Sequence, residues 1–237
     1  MSVMQVKLGK NSGSYLHERG AVLREKDCLE EALVFLTLSL VHLQKEGKYP
    51  ELVDALKDRC LTWKHLFLVT KEKAYAILAK KDAESMLEIA KSYNLKDKLD
   101  TSYFRIAEVA MLFEDYQLAI SNYKKAIKFF GGHPAEKGDF RYHLGEALYR
   151  NGQKKEGKKT ILQGVREIRE NSKGIDPFLI HVWESGAYMR MAELLSEDEH
   201  EESRIYFDKA KKIIYSDPKL VIRKRQLEEL GKRIGFK

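Results

Sequence analysis

Residues 103–129 read YFRIAEVAMLFEDYQLAISNYKKAIKF, and the spacing within them decides the fold. The small residues Ala119 and Ala126 stand seven apart, with the bulky Tyr123 four positions after the first. Positions four and seven apart share one face of an α-helix, so the three residues form a stripe with two notches and a knob. Such a stripe lets a neighbouring helix approach closely. Upstream, Tyr103, Ile106 and Ala107 also recur at helical intervals, and Glu114-Asp115 separates the two patterns. The stretch therefore reads as two helices, about 97–113 and 116–130, stopped by the paired glycines Gly131-Gly132.

The same stripe returns as Ala32/Leu36/Ser39, Ala83/Leu87/Ala90, Gly157/Ile161/Gly164 and Ser203/Phe207/Ala210. Its anchors lie about 51, 36, 38 and 46 residues apart, the period of stacked helix pairs. Five pairs follow, at approximately 12–46, 50–93, 97–130, 134–171 and 177–215. A last helix over 218–234 is expected to cap the stack, since a terminal repeat has no neighbour to bury its face. The whole of 1–237 is expected to form one domain. Pro50, Pro134, Pro177 and Pro218 each sit where a helix should begin, and Asp176 and Asp217 are suitable N-caps. No strand-like alternation of useful length occurs, so the fold class is all-α.

This segmentation resembles the tetratricopeptide repeat (TPR) family. Tyr103, Ile106, Ala107, Tyr116, Ala119, Tyr123 and Ala126 fall at its signature positions. Leu144, Gly145, Leu148 and Gly152 continue the pattern in the next repeat, and Leu16, Gly20, Leu23 and Ala32 supply it in the first. In the second and fifth pairs the first helices are several residues longer than the pattern. The resemblance implies a right-handed α–α superhelix whose first helices line a groove for an extended peptide or a helix. The residues it places there are His17, Ala21 and Arg24; Phe104, Glu108 and Met111; Tyr142, His143, Glu146, Tyr149 and Arg150; and Trp183, Ala187 and Arg190. Aromatic and arginine side chains at such positions contribute about 2 kcal/mol or more each when they act as hot spots. One familiar use of the fold grips the carboxylate end of a chaperone tail with lysine and asparagine. The corresponding positions hold His17, Phe104 and Tyr142, then Ala21, Glu108 and Glu146, which cannot form that clamp.

Composition narrows the function classes. Two cysteines, Cys28 and Cys60, are too few and too distant for a disulfide framework, which points to a reducing, cytoplasmic setting. The longest apolar run, 33–43, is about half of what a bilayer crossing needs, and no leader pattern opens the chain. The net charge of +7 is concentrated at the end, where residues 204–237 hold eleven Lys or Arg against four Asp or Glu. An acidic stretch, Glu197, Asp198, Glu199, Glu201 and Glu202, precedes it. The basic end offers Arg204, Lys211, Lys212, Lys219, Arg223, Lys224 and Arg225, with Tyr206 and Tyr215 for stacking, as a nucleic-acid surface. The acidic and basic stretches of two copies meeting would give a homo-oligomer.

Chemistry finds less support. His143/Glu146 and His181/Glu184 are H-x-x-E pairs on one helix face, the spacing of carboxylate-bridged metal ligands. A dimetal centre also needs glutamates from two further helices of a compact bundle, so the pairs read instead as polar groove residues. Cys60, with His65 close by, reads as a buried apolar position rather than a nucleophile. No catalytic or nucleotide-binding fingerprint is present. The expected function is a protein- or peptide-binding scaffold without catalysis, cofactor or metal. Its groove residues are Phe104, Glu108, Tyr142, His143, Glu146, Tyr149, Arg150, Trp183 and Arg190, and the alternative is nucleic-acid binding by the basic end.

Overall fold

The computed structural model describes residues 12–236. The opening residues, read as a polar start without a leader, and Lys237 lie outside that range. Among the described residues there are eleven α-helices and no strand. They are α1 (Gly13–Glu25), α2 (Leu29–Lys45), α3 (Tyr49–Thr70), α4 (Lys73–Ser92), α5 (Leu99–Leu112), α6 (Tyr116–Phe129), α7 (Pro134–Arg150), α8 (Lys154–Glu170), α9 (Pro177–Leu195), α10 (His200–Ser216) and α11 (Val221–Ile234). A single 3₁₀ turn, Lys96–Lys98, precedes α5.

Consecutive helices form hairpins through a shared turn. In four of them the residue before the new N-cap is left-handed: Asp27 (φ 62°), Gly47 (φ 68°), Glu114 (φ 59°) and Gly152 (φ 87°). The next amide then donates back five residues, as from Asp115 to the Ala110 carbonyl and from Gln153 to that of Leu148, each at 3.0 Å. This is the Schellman closure, which satisfies carbonyls that a helix end leaves without partners. Asp115 and Asp176 add side-chain caps, accepting from the amides of Leu118 and Phe178. Pro218 departs from the expected pattern. Helix α11 begins at Val221, and Asp217 instead closes the preceding turn by accepting from the Leu220 and Lys219 amides.

The chain divides into two compact units. The first comprises residues up to Arg24 and Cys28–Leu95, holding the hairpins α1/α2 and α3/α4. Here Leu36 fills the space opposite Gly20, and Ala32, Leu36 and Ser39 are fully buried. In α4 the buried face is Ala79, Ala83, Met86 and Ala90; the knob is Met86, and Leu87 is only partly covered. Polar residues tie this unit as well. Arg59 of α3 grips Asp82 of α4 with Nε and Nη2 at 2.9 and 2.6 Å.

The second unit comprises Glu25–Asp27 and Lys96–Lys237, with the hairpins α5/α6, α7/α8 and α9/α10 and the final helix α11. Its stripes are Ala119/Tyr123/Ala126, Gly157/Ile161/Gly164 and Ser203/Phe207/Ala210, and all are buried. The closest approach is between α7 and α8. A methyl group on Gly138 would fall 2.6 Å from the Gly164 carbonyl oxygen, and one on Gly157 2.7 Å from that of Gly145. The two backbones touch where four glycines face each other. One apolar cluster, including Ile161, Ile168, Tyr188, Leu195, Phe207, Leu227 and Phe236, then joins α8, α9, α10 and α11.

Candidate functional site

Helices α5, α7 and α9 carry the expected groove residues of the second unit, and packing sorts these into floor and surface. Helix α7 lies against α6, α8 and α9, so most of its side chains are covered. The sequence places Phe104, Tyr142 and Tyr149 on the face that would meet a ligand; the structure buries all three, leaving 3%, 1% and 7% exposed. Phe104 stacks on Phe140 with centroids 4.2 Å apart and meets Tyr123 edge-on at 5.3 Å. His143 fits among the rings of Phe104, Tyr123 and Tyr142. These side chains build the floor from beneath.

Charged residues make up the rest of the face. Glu108 is buried and paired with Arg105 one turn earlier. Glu146 accepts from Nε of Arg150 at 3.1 Å and is ion-paired with Nε of Arg190 at 3.0 Å. Glu193 lies 3.3 Å from Nη2 of Arg150, 3.4 Å from Nη1 of Arg190 and 3.0 Å from Nη2 of Arg233 on α11. Three guanidiniums thus surround two carboxylates. Burial alone would push the Glu193 carboxyl up, but the guanidiniums of Arg190, Arg150 and Arg233 hold it below the usual range. The carboxylate of Glu146 keeps Arg190 charged in the same way, against the pull of burial. The arginines remain reachable, with 29%, 33% and 59% of the Arg150, Arg190 and Arg233 side chains exposed. Trp183 lies half-buried against the apolar cluster.

Beneath the network, burial and the nearby Glu108 push the Asp139 carboxyl up to about 7, opposed by Arg223 and Arg105. Arg223 reaches this floor from α11 by passing over Gly186, where a side chain would crowd both its guanidinium and the Tyr142 hydroxyl.

The other sequence candidates are committed elsewhere. His181 Nδ1 lies 2.9 Å from Asp217, while Glu184 pairs with Arg169 and accepts from the Tyr188 hydroxyl at 3.1 Å. Both H-x-x-E glutamates are therefore held by arginines, and no group of three or more potential metal ligands occurs among the described residues. Cys60 is buried and donates to the Ala79 carbonyl at 3.3 Å. In the first unit His17 and Arg24 both converge on Asp58 of α3. At the basic end Tyr206 is buried, leaving Tyr215 exposed with Lys224 Nζ 5.4 Å from its ring centre. Arg204 lies over Phe236 at 4.1 Å, and Arg225 pairs with Glu229. The acidic stretch also pairs within the chain, Asp198 with Lys154 and both Glu199 and Glu202 with Lys158. No described helix is long and apolar enough to cross a membrane.

Sequence reasoning missed Glu193, Arg233 and Asp139. Glu193 stands three residues after Arg190, a helix-neighbour charge pair that spacing can reveal. The arrival of Arg233 and Arg223 from α11 has no local signal.

No family model matches the chain, and no curated protein matches it in sequence. Solved structures do share its fold. A variant form of a kinesin light chain-like protein of Podosopora anserina, with nearly identical TPR-like repeats, superposes with a TM-score of 0.57 at 14% identity, covering 87% of this chain and 98% of its own. The parent form gives 0.56 at 13% identity, with 88% and 100% covered. BtubC from P. vanneervenii gives 0.50 at 13% identity, with 87% and 92% covered. The fold of this chain is that of TPR-like helical repeats.

Proposed function

We propose that the chain is a cytoplasmic scaffold that binds a protein or peptide partner on the α5/α7/α9 face of its second unit, without catalysis of its own. Repeats of this fold generally mediate protein–protein contacts. The observation that carries the reading is the half-exposed network of Arg150, Arg190 and Arg233 around Glu146 and Glu193, with Trp183 on the same helix as Arg190. Arginine and tryptophan are the side chains that most often dominate an interface. The guanidiniums are already fixed by ion pairs and rest on a packed aromatic floor, so a partner finds them ordered and the entropy lost on binding is small. Phe104, Tyr142, Tyr149, Glu108, His143 and Glu146 serve as support, while Arg150, Trp183 and Arg190 meet the partner.

The test is affinity capture from a native lysate with the full chain and an Arg150→Ala/Trp183→Ala variant. Tyr142 is left intact because its truncation would empty the core. Weaker capture with unchanged helical circular dichroism supports the assignment, and equal capture rejects it.

A further inference from the structure

One surface stands apart from this network. Lys155, Lys158, Lys159, Leu162 and Arg166 of α8 line a recess of about 340 Å³. At 100° per residue these five share one side of the helix, whereas Glu156 and Glu167 fall farther round; Glu170 stands one turn beyond Arg166 without pairing with it. Among the described residues no carboxylate pairs with Lys155, Lys159 or Arg166, and all three are exposed. The adjoining lysines show what such a row accepts. Lys154 pairs with Asp198, and Lys158 holds both Glu199 and Glu202, at 2.8 and 2.6 Å. Two lysines one helical turn apart thus capture a D-E-x-x-E segment of the same chain. Lys155 and Lys159 repeat that spacing one position along, and Arg166 extends the row by two turns.

The geometry points to a second binding surface, on the α8 row Lys155/Lys159/Arg166, for an acidic polypeptide segment of a partner, with carboxylates spaced like those of Asp198, Glu199 and Glu202. Charge complementarity and the in-chain example argue for carboxylates. Leu162 and the aliphatic stems of the lysines give the recess an apolar base suited to a polypeptide side chain. A single-stranded nucleic acid would call for exposed aromatic faces. The nearby Tyr188 and Tyr206 are buried, and no aromatic ring lines the recess.

The experiment is fluorescence anisotropy with the full chain at low ionic strength, titrating labelled poly-glutamate, poly-glutamine of equal length, and oligothymidylate. Two triple variants are compared: Lys155→Glu/Lys159→Glu/Arg166→Glu on the row, and Lys73→Glu/Lys124→Glu/Lys128→Glu elsewhere, which alters net charge equally. Poly-glutamate is expected to bind, poly-glutamine is not, and affinity is expected to weaken about tenfold or more in the row variant but about twofold or less in the other. Added salt should weaken binding. Absence of poly-glutamate binding, equal loss in both variants, or tighter row-dependent binding of oligothymidylate would each overturn the proposal. Retained capture in the Arg150/Trp183 variant does not bear on this row, so the two surfaces fail or stand separately.

Discussion

Arg24 on α1 donates from Nη1 to Oδ1 of Asp58 on α3 at 2.5 Å, and both side chains are buried. His17 Nε2 reaches the other oxygen of Asp58 at 2.7 Å. Burial works against this carboxylate, but the guanidinium of Arg24 and the hydrogen bond from His17 outweigh it and hold the Asp58 carboxyl far below the usual range. Removing one partner of a buried pair leaves an uncompensated charge, so Asp58→Ala should cost about 3–5 kcal/mol. The folded carboxyl is the stronger acid, so this contribution is complete above pH ~4 and is lost as pH falls further. Urea titrations from pH 3 to 7 should show the variant losing stability least at the acid end; a constant difference across that range would refute the linkage.

Gly138 and Gly164 make the opposite kind of contact, backbone against backbone. Gly164→Ala would bring a methyl group 2.5 Å from the Gly138 carbonyl oxygen, which flexible side chains cannot relieve. Overpacking of this sort costs about 1–3 kcal/mol, and more where the backbone must move. Gly131→Ala meets nothing within 4 Å and is the control. Thermal melts should separate the two; equal midpoints would show that α7 and α8 are less tightly apposed.

Asp139 predicts a pH dependence of the other sign. Its folded value of about 7 lies above the ordinary 3.8, so the folded state holds the proton more tightly than the unfolded chain. Stability from this group is complete below pH ~4 and falls as pH rises to about 7, with a slope of at most about 1.4 kcal/mol per pH unit. Asn at this position keeps the shape and cannot ionise. Chemical denaturation of Asp139→Asn between pH 5 and 8 should show a flatter profile than the parent, and parallel profiles would contradict the burial argument.

In α4, Met86 and Leu87 are adjacent and exchange the roles that spacing assigns. Met86 is fully buried and Leu87 only partly covered. Met86→Ala should cost about 2–5 kcal/mol and Leu87→Ala clearly less. Denaturant midpoints decide the order, and the reverse ranking would return the knob to Leu87.

This exchange marks what was legible in the sequence and what was not. Four of the five small–large–small stripes, the turn at Glu114-Asp115 and the bounds of the helix pairs follow from local spacing, and the helices lie close to where it puts them. The α4 slip arose because Ala79, Ala83 and Ala90 accept a knob three or four positions after Ala83 equally well. At the candidate site the difficulty was different. Periodicity says which residues of α7 share a face, but α6, α8 and α9 together cover several faces, so Tyr142 and Tyr149 became core while Arg150 stayed accessible. Arg233 and Arg223 come from α11, more than thirty residues beyond Arg190. No local pattern encodes such a meeting.

The most direct test of the central claim is quantitative partner capture by the full chain beside its Arg150→Ala/Trp183→Ala variant, with helical content checked by circular dichroism. The account predicts that the variant stays folded and loses the captured polypeptide. Undiminished capture by a folded variant would contradict it.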